Sequence, residues 1–356
     1  MKIKKFDVIG TMSGTSCDGL DIAYCDFWEK NKKWNFKLIK VKFIPYKSSL
    51  RKKLLQSYKL TSYELKKLDI ELGDFSSNEI SKFMLENSIK PIIISHHGHT
   101  VFHNPQERIS LQIGNPILIS KQTQTKVINN FRELDVLSGG VGAPLVPYGD
   151  KKLFDDYDFC INIGGIANIS KLWSKELIAF DMCPANILLN RYSRLMGYEY
   201  DRNGNIASKG KVLKSVLDNI NNISFYDISS PKSLNLEYIL DNYVPILEGH
   251  PIKNILNTLV HHIAYQINKN IDIKKSNVLL SGGGVYNKYL IEKIYEYNKQ
   301  QTNFVVPNSD IISFKEAIIF GYLGLLRFLG LKNIENSVTG SSNSSSSGII
   351  FDIKLF

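Results

Sequence analysis

Cysteine is scarce in this 356-residue chain: Cys17, Cys25, Cys160 and Cys183 lie far apart and none belongs to a CxxC pair. That spacing disfavours a zinc ribbon, a thioredoxin-type redox site and a disulfide framework, and leaves reduced thiols of a cytosol as the simpler reading. Long apolar runs are missing as well. The longest, Ala317 to Leu326, stops at Arg327, well short of the ~20 residues that span a bilayer. The start, MKIKKFDVIGTMSGTS, has too short an apolar run to be a secretory signal. The expectation is a soluble, cytoplasmic protein of two domains, at roughly 100–200 residues each.

Three sequence motifs are also lacking. No Lys follows Gly14 or Gly19, so there is no Walker A loop. No GxGxxG opens a helix after the first strand, which removes a Rossmann fingerprint, and HExxH is absent. No short repeat is visible, which excludes solenoids and propellers.

Positive charge is in excess, with a formal net charge of +10. It is scattered over Lys30, Lys32 and Lys33, over Arg51, Lys52 and Lys53, and over Lys274 and Lys275. A nucleic-acid groove would interleave basic and aromatic residues on one element. Solvated lysine-rich faces are the better reading, with no nucleic-acid partner and no membrane.

Short apolar runs ending at glycine or small polar residues recur: 6–9 into Gly10, 91–94 into Ser95, 159–163 into Gly164, and 277–280 into Ser281. Each reads as a buried strand that delivers a loop at its C-terminal end. Between them lie helical patterns, the clearest from Pro251, where Ile252, Ile255, Leu256, Leu259, Ile263 and Ile267 share one face. This alternation predicts an α/β fold with partly parallel sheets. Composition predicts a flexible loop over the serine-rich 340–348, and 349–356 reads as a last strand that returns to a sheet.

Three junctions share one chemistry: Gly10-Thr-Met-Ser-Gly14-Thr15-Ser16-Cys-Asp18-Gly19-Leu-Asp21, Asn162-Ile-Gly164-Gly165-Ile-Ala-Asn168, and Ser281-Gly282-Gly283-Gly284-Val-Tyr-Asn287. Glycines let backbone N–H groups approach an anion and hydroxyls add donors, which suits phosphate oxygens. An acidic neighbour such as Asp18 would hold the Mg²⁺ that accompanies a nucleoside triphosphate. Each loop alone also fits a plain turn. His96, His97, His99 and His103 cluster without added Cys or carboxylate ligands at zinc spacing, so substrate contact or packing is preferred to a metal. Cys17 and Cys183 border the loops, but no neighbouring His activates either, so both read as packing residues. Gly139, Gly140 and Gly142 fit a tight loop that lets backbone approach a ligand, or a plain turn.

The order of these loops resembles that of the actin, hexokinase and heat-shock chaperone ATPase superfamily. GTMSGTSCDGLD (10–21), HHGHT (96–100), LQIGNP (111–116), NNFRELDVLSGGVGAPLVP (129–147), NIGGIANIS (162–170), FDMCPAN (180–186), SGGGVYN (281–287), KEA (315–317) and SVTG (337–340) closely resemble the anhydro-N-acetylmuramic acid kinases. The blocks run in family order over nearly the whole chain. The resemblance implies a two-lobed actin/hexokinase-like ATPase fold with ATP and Mg²⁺ in the interlobe cleft. Lobe one would take residues 1–130 with the returning segment 335–356, and lobe two residues 131–334.

It further implies a kinase of cell-wall recycling that opens 1,6-anhydro-N-acetylmuramic acid with water and phosphorylates O6. By family position Asp181 is the base that activates the water; read alone, it is better taken as a helix N-cap ahead of Pro184. The sugar is expected at His97, Thr100, Asn115, Arg132, Asp135, Gly142 and Glu316. Arg132 could bind a carboxylate through two donors, or pair with Glu133 or Asp135. The family also suggests a homodimer. DMCPAN departs from the DTGPGN-like loop of many members, and Val141 and His99 stand where Gln is common. A kinase for another amino sugar such as N-acetylglucosamine, or a non-catalytic ATP-gated binding protein of the same fold, are the rival readings.

Overall fold

A computed structural model describes residues 3–14 and 17–353. The chain divides into two compact units, Met1–Leu153 with Phe314–Phe356, and Phe154–Ser313. The division differs from the expected 1–130 with 335–356. Residues 131–153 join the first unit because the helix Glu133–Leu137 packs on the strand Ile109–Ile113 and the helix Val146–Leu153 packs on the strand Lys33–Pro45. The second boundary falls inside the helix Ser309–Phe328.

In the first unit, β1 (Lys5–Met12), β2 (Gly19–Lys30) and β3 (Lys33–Pro45) form an antiparallel meander. β4 (Ile93–His96) pairs parallel to β1, and β7 (Lys126–Asn129) pairs parallel to β4. β5 (His99–Asn104) and β6 (Ile109–Ile113) make a separate hairpin. In the second unit, β8 (Phe159–Ile163), β9 (Ile166–Lys171) and β10 (Ile178–Pro184) again form an antiparallel meander, and β11 (Asn277–Ser281) and β12 (Asn303–Val305) again add on in parallel. The two sheets thus share one strand order, β7-β4-β1-β2-β3 matching β12-β11-β8-β9-β10. This repeat is topological, and no sequence period betrays it. β13 (Ile349–Phe351) closes the first sheet antiparallel to β7, so the expected return to a sheet is there in a shorter strand than 349–356, of which residues 354–356 lie outside the described residues.

Each strand's pattern explains its place. Phe159, Cys160, Ile161 and Ile163 are all buried, as a central strand covered on both faces requires. The helix Ile252–Lys269 lays Ile255, Leu256, Leu259, Ile263 and Ile267 into the core of the second unit. In the first unit a Thr61–Glu64 capping box starts the long helix Ser62–Glu86, which buries Leu68, Leu72, Ile80 and Phe83. Gly10 is required by contact. A Cβ there would overlap the Ala317 carbonyl oxygen and lie 2.7 Å from the Gly321 N, so β1 meets the Ser309–Phe328 helix backbone to backbone.

The serine-rich segment is not the loose loop its composition predicts. Asn333 Nδ2 donates to the Leu323 and Ser347 carbonyls at 3.0 and 2.8 Å, and Ser347 N–H returns to Asn333 Oδ1 at 2.7 Å. Ser341 and Ser347 are buried, and Ser345 forms a bridge with Ile334. One buried asparagine therefore supplies three bonds that compositional flexibility does not foresee.

Candidate functional site

In the first unit four of the seven residues assigned to the sugar, joined by Thr339, form a hydrogen-bonded chain. Asp135, fully buried, accepts from Thr339 Oγ1 on Oδ1 and from Gly142 N–H on Oδ2, each at 2.8 Å. The Gly142 carbonyl accepts from Arg132 Nη1 at 2.8 Å, and Arg132 Nε donates to His97 Nε2 at 3.1 Å. His97 Nδ1 closes the chain on the Gly98 carbonyl at 2.9 Å. Phe320 floors it, with its ring 4.4 Å from His97 and 6.0 Å from the guanidinium. Arg132 does not pair with Glu133 or Asp135, because Asn130 binds the first and Gly142 and Thr339 hold the second. Nε is spent on His97 and one Nη1 hydrogen on the Gly142 carbonyl, so the other Nη1 hydrogen and Nη2 form the remaining planar fork of donors.

Two other assigned residues are committed locally. Asn115 Oδ1 caps the helix Pro116–Thr123 through Ile117 N–H at 3.1 Å, and its Nδ2 donates to Asp69 at 3.1 Å. Thr100 stands on β5 at a break in the β5–β6 register, with its hydroxyl 3.4 Å from Gln112 Nε2. The clustered histidines separate likewise: His96 bonds Thr11 Oγ1 at 2.8 Å, His103 bonds Ser110 at 3.1 Å, and His99 lies 3.9 Å from the Cys17 sulfur.

Carboxylates gather in the same unit. Burial, with the charges of Glu316 and Asp18 added, raises Asp21 from 3.8 to about 7. Glu316 keeps solvent access, yet desolvation by the surrounding protein raises its carboxyl. Lys315 and Arg132 pull it back down, and Asp150 adds to the rise. Lys315 itself is tied into a buried ion pair with Asp150 at 3.0 Å. Asp18, the expected metal ligand, makes a half-exposed pair with Arg51 at 2.9 Å. Such a surface pair costs little to open. Thr15 and Ser16 lie outside the described residues, and the Gly14 carbonyl accepts from Cys17 N–H at 3.1 Å.

In the second unit the register aligns the predicted residues into one row. Asp181 on β10 stands opposite Asn168 on β9, Asn168 opposite Asn162 on β8, and Asn162 opposite Ser281 on β11. Cross-strand partners share a face, so the row runs from Asp181 to the start of the third glycine loop. Asp181 lies inside β10 and not at a helix cap, since the helix Asn186–Arg194 begins after Ala185. The β9–β10 register slips between Asp181 and Cys183, a bulge of the kind that re-aims side chains at sites. Burial raises the Asp181 pKa, and a bond from Leu234 N–H to Oδ2 at 2.9 Å opposes the rise.

The Gly164–Gly165 turn joins β8 to β9, the point in the meander that the connection from Met12 to Gly19 holds between β1 and β2. The Gly164 carbonyl accepts from Asn186 N–H, and the Gly165 carbonyl from Ala185 and Ile187 N–H, at 2.8–3.1 Å. With the Gly164 carbonyl facing the helix, the trans peptide turns Gly165 N–H the other way, as an anion contact needs. In the third loop Gly282 has φ 83°, and a Cβ there would strike Asn162 Oδ1. Gly283 and Gly284 begin a short helical turn, and Asn287 Oδ1 caps the next helix through Leu290 N–H at 3.0 Å. Gly204 packs against Asn287, which brings the 201–207 segment to this loop.

Sequence reasoning missed Lys232, Leu234 and the specific role of Thr339. No spacing signal marks the first two, which reach Asp181 only through the fold; SVTG is visible as a block, but its partner Asp135 is not.

A meander repeated in two units, with a glycine turn at the same point of each and carboxylates beside the first, places the chain in the actin- and hexokinase-like class of α/β ATPase folds. A sequence model of anhydro-N-acetylmuramic acid kinase matches residues 6–353, and the chain belongs to that family. The anhydro-N-acetylmuramic acid kinase of Bacillus thuringiensis subsp. konkukian (strain 97-27) is 32% identical over 350 residues, covering 89% of this chain and 91% of its own. That of Bacillus cereus (strain B4264) is 32% identical over 372 residues, covering 95% of each. Among solved structures, (R)-2-hydroxyglutaryl-CoA dehydratase component A of Acidaminococcus fermentans aligns at TM-score 0.42 and 11% identity, over 88% of this chain and 95% of that one. Among the described residues no helix is long and apolar enough to cross a membrane.

Proposed function

We propose that the chain is an ATP-dependent kinase that opens 1,6-anhydro-N-acetylmuramic acid with water and phosphorylates O6, giving N-acetylmuramic acid 6-phosphate and ADP in cell-wall recycling. The family match over residues 6–353 carries this reading. Asp181 takes a proton from water as the water oxygen bonds to the anomeric carbon. The C1–O6 bond breaks, and O6 bonds to the γ-phosphorus as ADP leaves. Ionised Asp181 is the competent form, and the Leu234 amide favours it. Arg132 takes the lactyl carboxylate on its Nη fork, with His97, Gly142, Asp135 and Thr339 behind it. In this reading His97 and Asp135 orient Arg132 rather than touch sugar. Asn115 shapes the turn before its helix, while Thr100 and Glu316 offer polar groups to the ligand.

The residues assigned to ATP are the glycines at 164–165 and 282–284, with Asn162, Asn168 and Asn287, and Gly14, Asp18, Gly19 and Asp21. Mg²⁺ fits these residues. Among the described residues no His, Cys, Asp and Glu group forms a closed metal cage. Asp21, raised to about 7 by burial and by two neighbouring carboxylates, marks a field that a cation would relieve. Mg²⁺ is usually held by one or two carboxylates plus phosphates, and it neutralises charge on the transferring group. A homodimer and a cytoplasmic location complete the proposal on the family resemblance.

The test incubates the protein with ATP, Mg²⁺ and 1,6-anhydro-N-acetylmuramic acid, alongside a panel of other amino sugars, and follows ADP and sugar phosphate by mass spectrometry. Equal amounts of ADP and the 6-phosphate are expected. ATP hydrolysis independent of sugar, or preference for N-acetylglucosamine, would overturn the assignment.

A further inference from the structure

Asp181 lies on β10, which ends the second unit's sheet, so the ladder leaves one side of that strand unpaired. An irregular segment after the helical turn Ser224–Asp227 covers it. Asp181 N–H donates to the Lys232 carbonyl at 3.1 Å, and Leu234 N–H donates to Asp181 Oδ2 at 2.9 Å. The segment therefore grips both the backbone and the carboxylate of one residue, at the bulge where the regular ladder has lapsed.

The segment has an anchor of its own. Lys232 Nζ donates to the Phe225 carbonyl at 3.2 Å and sits 4.6 Å from the Phe225 ring centroid. The rings of Phe180 and Tyr226 lie 5.7 and 5.9 Å away. Phe180 is the residue before Asp181, so one ammonium ties the segment to β10 and to the 224–227 turn together. Beneath it, Tyr226 bonds Tyr243 at 2.7 Å and His262 Nε2 at 2.8 Å, and His262 Nδ1 bonds Asn221 at 2.7 Å. This buried network holds the turn rigid from the helix Ile252–Lys269.

We infer that Lys232–Leu234 is a strap that fixes the orientation of the Asp181 carboxylate, with Lys232 as the positioning residue that anchors it. The inference rests on the reading of Asp181 as the base. A carboxylate on a bulge has rotameric freedom that the sheet no longer limits. One amide on Oδ2 leaves Oδ1 as the atom that meets water, and it favours the ionised form. The charged neighbours and titratable groups around this point are Lys232, Lys171 over the Phe180 ring, Lys269 and Asp227 beside Lys232, and the Cys183 thiol. Burial and Asp181 push that thiol up, so it stays neutral.

The experiment compares Lys232→Met, Lys232→Arg and Leu234→Pro with Asp181→Asn, reading kcat, both KM values and the acidic limb of the kcat–pH profile. Lys232→Met keeps the stem but not the charge. Its kcat is expected to fall on the order of tenfold, with its acidic limb moved to higher pH and both KM values within about twofold. Lys232→Arg is expected to restore most of the rate and the limb. Leu234→Pro removes the amide itself and is expected to shift the limb the same way; if it fails to fold, the two lysine variants decide. An inactive Asp181→Asn beside a Lys232→Met with an unmoved limb overturns the strap alone. Turnover that survives in Asp181→Asn overturns the base reading, and the strap's role with it.

Discussion

Arg132 Nε stands 3.1 Å from His97 Nε2, and this pair fixes the state of both side chains. A guanidinium only donates, so Nε2 must accept; the Gly98 carbonyl only accepts, so Nδ1 must carry the proton. Burial, reinforced by the Arg132 charge, drives the His97 pKa well below its ordinary 6.5 and keeps it neutral. Both ring nitrogens are spent. The histidine is a bracket for the arginine, and the proposed ligand recognition is left to the Nη1/Nη2 fork.

Arg132→Lys follows as the sharpest test of that fork. A lysine cannot bond His97, Gly142 and a carboxylate as one planar group. The sugar KM is expected to rise by one to two orders of magnitude, the equivalent of about 1.5–3 kcal/mol for a charge-assisted bond, with the ATP KM little changed. Steady-state kinetics with each substrate varied in turn reads this. Equal losses toward ATP and sugar would remove Arg132 from the sugar site.

Asp21 gives a pH signature in stability. Its folded pKa is about 7 and an unfolded Asp is about 3.9, so between those values the folded state binds the extra proton. Stability from this group therefore falls as pH rises from about 4 to about 7 and is level above. Asp21→Asn removes the penalty. Its thermal midpoint should match the parent near pH 4 and exceed it by several degrees near pH 8. A midpoint difference constant across pH would show that Asp21 carries no such shift.

Much of this architecture is legible in the sequence. The runs before Gly10, Ser95, Gly164 and Ser281 emerge as β1, β4, β8 and β11; β8 and β11 end where the small residues stand, whereas β1 runs on to Met12 and β4 to His96, because strand pairing carries them past Gly10 and Ser95. Register does not show itself that way. Nothing local places Asp181, Asn168, Asn162 and Ser281 in one row, since the pairing depends on a bulge after Asp181. Asn115 reads as a ligand contact by position, yet Pro116 after it marks the helix start that it caps. The 340–348 segment misleads because composition cannot see the side chain of Asn333.

Thr339→Val tests the far end of the Arg132 bracket. It leaves Asp135 Oδ1 buried without its hydroxyl partner, a loss of about 1–3 kcal/mol. The thermal midpoint should drop by a few degrees and the sugar KM should rise several-fold, because Asp135 also holds Gly142. A lowered midpoint with an unchanged sugar KM would make Thr339 a packing residue only.

Gly10 and Gly165 should respond oppositely to the same added methyl. At Gly10 the new Cβ overlaps the Ala317 carbonyl oxygen and meets Gly321 Cα at 2.8 Å. Both are helix backbone, which cannot rotate aside as a side chain does, so Gly10→Ala must push the helix Ser309–Phe328 off β1. Overpacking of this kind costs about 1–3 kcal/mol, and rigid neighbours on both sides favour the upper end. At Gly165 the nearest atom is Ile187 Cβ at 3.9 Å, an ordinary contact, so Gly165→Ala should unfold at nearly the parent temperature. Its defect should lie in a raised ATP KM, because the methyl would stand beside the N–H that the proposed function assigns to a phosphate. Thermal unfolding and ATP titration of the two variants measure this contrast. Equal midpoints would mean that β1 and the helix separate more readily than their backbone contact implies.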